Sequence, residues 1–147
     1  MKKMPPIAKI YEAFSVLADG RIKLEENKAT ITSSNDEKQY TVVWNENEIT
    51  SNDNATVWQG YPGYPVIAVW LMKNRISYQK DIIKYFKNIN WHEINKQNKR
   101  DYQKGIEDIL NALKEDNIDT EKIEEEVNRI YLAIENLDFK IVRKIKN

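Results

Sequence analysis

Residues 21–51 read RIKLEENKATITSSNDEKQYTVVWNENEITS, and the texture of this stretch decides the fold class. Short runs of Ile, Leu, Thr, Tyr and Val alternate with turn clusters at Glu26-Asn27, Ser34-Asn35-Asp36 and Asn45-Glu46-Asn47. β-Branched and aromatic residues suit a pleated, half-buried surface. Asn and Asp bond their own backbone in the turns and tolerate left-handed geometry there. The stretch therefore reads as an antiparallel β-meander of three to four strands. Ser-Asn-Asp occurs at 34–36 and again at 51–53, each time ahead of Thr-Val and a tryptophan. One kind of turn chemistry used twice accounts for this.

On the N-terminal side, PPIAKIYEAFSVLADG (5–20) places Ile7, Ile10, Tyr11, Phe14, Leu17 and Ala18 at helical spacing. Two prolines suit the start of a helix and Gly20 suits its stop, so the segment reads as an amphipathic helix. On the other side, SNDNATVWQGYPGYP (51–65) gathers two of the four glycines, two of the four prolines, Trp58, Tyr61 and Tyr64 beside an Asn/Asp cluster. Beyond it Pro65 opens PVIAVWLMKNRIS, which reads as a buried helix. Ser77 is the expected N-cap of YQKDIIKYFKN. A longer helix is expected from about Trp91 to Leu113, with the stripe Trp91, Ile94, Asn98, Tyr102, Ile106, Ile109, Leu113. A last helix starts near Asp119 or Thr120, and Ile123, Val127, Ile130, Ile134 and Leu137 alternate spacings of four and three. DFKIVRKIK (138–146) is open between helix and strand. The expectation is one α+β domain over residues 1–147: an N-terminal helix, the meander, and a C-terminal group of about four helices packed on it.

Composition fits a folded chain of 147 residues, 41% hydrophobic and 31% charged. There are no cysteines, which removes disulfides, thiolate nucleophiles and cysteine-ligated zinc. Lys9 and Glu12 interrupt any signal-like region in MKKMPPIAKIYEAF, and the apolar run Val66 to Met72 is too short to span a bilayer. A cytoplasmic protein without membrane association is expected, and the sequon Asn54-Ala55-Thr56 is then accidental. Net charge is zero but uneven: residues 73–104 carry nine basic and three acidic side chains, and residues 105–127 carry two basic and nine acidic. The two blocks are expected to pack on each other.

Most catalytic templates are missing. His92-Glu93 begins like a zinc-protease motif, but Lys96 stands where the second imidazole must be. No Gly-x-Ser-x-Gly elbow exists, and Gly20, Gly60, Gly63 and Gly105 form no phosphate loop or dinucleotide fingerprint. The Asn/Asp turns lack the calcium-loop spacing. Glu124-Glu125-Glu126 points its side chains in different directions from one helix. No catalytic residue, metal site or cofactor is assigned, although carboxylates brought together by folding remain open.

A binding or interaction module is the principal reading. Asn52, Asp53, Asn54, Trp58, Gln59, Tyr61 and Tyr64 are its candidate ligand-binding residues, aromatic walls with amide and carboxylate partners for a small molecule or a protein. The competing structural reading makes the same stretch a joint between meander and helices. The alternative function is a helix-turn-helix-like nucleic-acid-binding regulator using Lys73, Arg75, Lys80, Lys84 and Lys87 on phosphates, with Tyr78 or Trp91 for stacking. The zero net charge counts against it. A third use, pairing of the last helix between two copies in a homodimer, competes with burial of that stripe inside one chain.

Overall fold

The computed structural model describes residues 2–145. Helix α1 (Ala8–Asp19) leads into the strands β1 (Ile22–Leu24), β2 (Lys28–Thr32), β3 (Gln39–Asn45) and β4 (Glu48–Ser51). A π-helical turn (Ala55–Gln59) and α2 (Tyr64–Met72) follow. The helices α3 (Lys80–Ile83), α4 (Trp91–Gln97), α5 (Tyr102–Glu115) and α6 (Thr120–Asn136) come next, and the chain ends in β5 (Lys140–Ile141). The fold is α+β, as the meander reading requires.

Successive antiparallel pairs run β1-β2-β3-β4, and β5 adds to β4 in parallel. The turns fall at the Asn/Asp clusters, where Asp36 and Glu46 take left-handed φ of 61° and 56°. Alternation sets the faces: Ala29, Ile31, Val42 and Ile49 are buried against the helices. Residues 138–146, undecided between helix and strand, contain β5 within the described part. Lys140 N–H bonds to the Asn47 carbonyl at 2.8 Å and Val142 N–H to that of Ile49 at 2.9 Å.

Helix α1 ends as expected, at a left-handed Gly20 (φ 68°) whose N–H bonds back to the last turn. Its polar face is not left to solvent, however. It packs against α2, α3, α5 and α6, and Glu12 and Ser15 are buried together with Ile10, Tyr11 and Phe14. Helix α2 is buried along nearly its whole length, from Pro65 through Leu71, and fills the space between α1 and the sheet.

Two expectations for the helices need correction. Ser77 does not cap α3, which is one α-turn continued by a 3₁₀ turn at Lys84–Phe86. The Gln79 N–H at its start is met by the Glu126 carboxylate of α6 at 2.5 Å, and Arg129 braces that carboxylate with an Nε–Oε1 distance of 2.6 Å. The helix expected from Trp91 to Leu113 is two helices. Asn98 ends α4, Lys99 and Arg100 turn left-handed, and the Asp101 side chain caps α5 by accepting from Lys104 N–H at 3.1 Å. Both halves bury the same stripe, so the periodicity runs through the break. Asn98, on the apolar side, satisfies its amide on the Ile94 carbonyl at 3.0 Å.

Charge pairing between the basic and acidic blocks is sparse among the described residues. Two ion pairs join them: Lys104 to Asp108 at 3.4 Å, along α5 and in the expected sense, and Lys122 of the acidic block to Asp81 of the basic one at 2.6 Å, in the opposite sense. No helix among the described residues is long and apolar enough to cross a membrane.

Candidate functional site

The stretch 51–65 divides into a joint and a wall. Asp53 is buried and makes the joint. Its Oδ1 accepts from the hydroxyls of Ser51 and Thr56, the latter at 2.8 Å, and its Oδ2 accepts from Thr56 N–H at 3.1 Å. Gly63 N–H in turn bonds to Thr56 Oγ at 3.1 Å. A Cβ on Gly63 would stand 2.0 Å from Asp53 Oδ2, so glycine here admits the carboxylate. Asn52 is also spent on structure, its Oδ1 accepting from Thr41 N–H at 2.8 Å. Trp58 lies on the outer surface, 78% exposed, with Gln59 exposed beside it. Tyr61 is half-buried beneath the Lys3 ammonium, 5.7 Å from its ring centre.

Of the seven candidates, Asp53, Asn54 and Tyr64 line a cleft of about 780 Å³. Asn52, Trp58, Gln59 and Tyr61 do not. The cleft opens between the first turns of α1, the β2–β3 turn, the start of α2, and the corner joining α4 to α5. Its frame is tied across the mouth by Trp91 N–H on Ser34 Oγ at 2.9 Å. Trp91 is anchored inward as well, its indole N–H donating to Ser15 Oγ at 2.7 Å while that hydroxyl donates to the Phe86 carbonyl at 2.6 Å.

Lys9 and Glu12 lie one helical turn apart in the depth of this cleft, with Lys9 Nζ 3.8 Å from Glu12 Oε2. The Asn95 amide donates to Glu12 Oε1 at 3.2 Å. Burial pushes the Glu12 carboxyl above its ordinary value, against the opposing pull of Lys9 and Asn95. Burial also works against the charge on Lys9, but Glu12 and the tyrosines around it outweigh this and raise the ammonium on balance. Lys9 lies 5.1 Å from the Tyr102 ring centre. On the wall, the rings of Tyr40 and Tyr64 meet edge to face at 6.0 Å. Burial, foremost, raises both phenols, which therefore remain protonated donors.

Six basic side chains line the cleft against three acidic ones. Arg21 is held by Asp19 at 2.9 Å and Lys9 by Glu12. Lys38, Lys96, Lys99 and Arg100 are exposed and enter no ion pair among the described residues. They surround the opening together with His92 and Glu37.

The family model described as "Uncharacterised conserved protein UCP014422" matches residues 2–140, a span that contains every residue of the cleft. The chain belongs to this family. No curated protein and no solved structure matches it.

Sequence reasoning missed Lys9, Glu12, Asn95 and the corner at Lys99-Arg100. Lys9, Glu12, Ser15 and Asp19 recur every three or four residues, which ordinarily marks a solvated stripe. One signal was present: from Ile10 to Ala18 the only charged residue is Glu12. Such a run is too apolar for a surface helix. Two of the five cations suggested for nucleic acid lie over aromatic rings. Lys73 sits over the Trp44 ring at 5.0 Å and Lys84 over that of Tyr85 at 5.3 Å, and α3 is a single turn rather than a recognition helix.

Proposed function

We propose that this family member is a binding protein for a small anionic molecule held in the cleft. One observation carries the reading: Lys38, Lys96, Lys99 and Arg100 ring a cavity of about 780 Å³ and have no acidic partner among the described residues. Surface cations are commonplace, but four of them bordering one recess raise the local potential there, and low-dielectric walls focus it. The volume lies in the range of small-molecule pockets, about 300–1,000 Å³, and is unsuited to a nucleic-acid duplex. Tyr40, Tyr64, Trp91 and Tyr102 supply the apolar walls, and the Lys9–Glu12 pair and Asn95 supply polar contacts at depth.

The test is a titration with citrate and with inorganic phosphate followed by amide NMR shifts. Shifts confined to Ser33–Tyr40 and Asn95–Tyr102 that saturate and diminish with added salt are the expected outcome. Shifts scattered over every exposed lysine, or none, overturn the reading.

A further inference from the structure

Building on the binding reading of this cleft, we infer that its ligand is a phosphate monoester with a hydroxyl-rich body, the phosphate gripped at the α4–α5 corner. Lys99 and Arg100 are consecutive, both left-handed (φ 53° and 67°), and neither is glycine. Side chains disfavour this region, and a two-residue excursion into it is more costly than one. Strain of this kind persists where the surrounding structure fixes it and function uses it. Here the corner is fixed by its own amides: Lys99 N–H bonds to the Lys96 carbonyl at 3.1 Å, Arg100 N–H to that of Asn95 at 2.7 Å, and Asp101 N–H to that of Asn98 at 2.9 Å. With these amides spent, what the corner offers a ligand is its side chains.

Those side chains are two long cations, with Lys96 on the preceding turn of α4 lining the same cavity and Lys38 entering from the β2–β3 turn. A carboxylate is satisfied by one guanidinium. A dianionic group with three acceptor oxygens is the better match for an Arg fork with lysines around it. Phosphate alone would leave most of the cleft unused. The remainder presents Tyr40, Tyr64, Glu12, Lys9 and Asn95, donors and acceptors beside aromatic faces, the setting in which the hydroxyls and C–H face of a sugar ring are held. Sugar phosphates and nucleoside monophosphates share this chemistry.

Calorimetric titration with ribose 5-phosphate, adenosine 5′-monophosphate, ribose and citrate tests the inference. Binding of either ester at least tenfold tighter than ribose and tighter than citrate is expected. The tighter ester identifies the source. In the double variant Lys99→Gly/Arg100→Gly, ester binding should weaken at least tenfold while the thermal midpoint rises, because glycine accepts the left-handed backbone. Lys96→Gln should weaken binding with no such rise. Citrate binding more tightly than both esters overturns the phosphate assignment and leaves the anion-binding reading standing. Unchanged ester affinity in the double variant overturns the role of the corner. Failure of every anion to bind overturns both readings.

Discussion

Asp53 was a candidate for ligand contact, and its three internal hydrogen bonds turn it into a fastening between the end of β4 and the start of α2. Asp53→Ala strands buried donors on Ser51 and Thr56 and should cost about 2–3 kcal/mol in urea unfolding. Gly63→Ala should cost about 1–3 kcal/mol by overpacking against the same carboxylate. The two substitutions together should cost less than their sum, because removing the carboxylate vacates the space the new methyl needs. Glu12 makes a second residue-scale prediction. Its carboxyl is raised in the folded chain above the ordinary 4.5, so the native state holds the proton more firmly than the unfolded one. The stability it contributes is complete below 4.5 and is lost as pH rises through the folded value. Lys9, raised from 10.5, stays charged throughout this range. The stability of the wild type relative to Glu12→Gln should therefore decline as pH increases, as urea midpoints from pH 4 to 8 would reveal.

Among the elements, those built on local signals were legible. Gly20 stops α1, the Asn/Asp clusters make the turns of the sheet, and Asp119 caps α6. Elements settled by distant partners were not. Nothing near Gln79 indicates that its amide is capped by Glu126, forty-seven residues on. Glu126→Ala should release both that amide and the Arg129 guanidinium and cost about 1–3 kcal/mol, with loss of hydrogen-exchange protection concentrated in α3. The break at 98–101 was written in the sequence as Asn98 and Asp101, two good capping residues three apart. The apolar stripe masked it because α4 and α5 bury the same side. For the same reason the cleft was only partly legible: Asn54 and Tyr64 came from an unusual stretch, whereas Glu12 and Lys99 look ordinary until folding brings α1 and the α4–α5 corner together.

At the scale of the molecule, β5 closes the outer side of β4 and brings Phe139 to 4.8 Å from Trp70, between the sheet and α2. Phe139→Ala should cost about 2–3 kcal/mol, below the range for a fully enclosed ring because Phe139 is only half-buried. Urea unfolding would measure it. The four tryptophans sit in different surroundings: Trp58 in water, Trp44 half-covered, Trp70 in the core, and Trp91 at the cleft with its indole N–H pinned to Ser15. The molecule thus carries its own optical gauge. Trp58→Phe would strip away the solvent-relaxed, red-shifted part of the emission at little cost to stability, since that ring is hardly covered. What remains comes from three sheltered indoles, of which Trp91 alone borders the cleft, so a molecule settling there would change the intensity and wavelength of the protein's own light without any label.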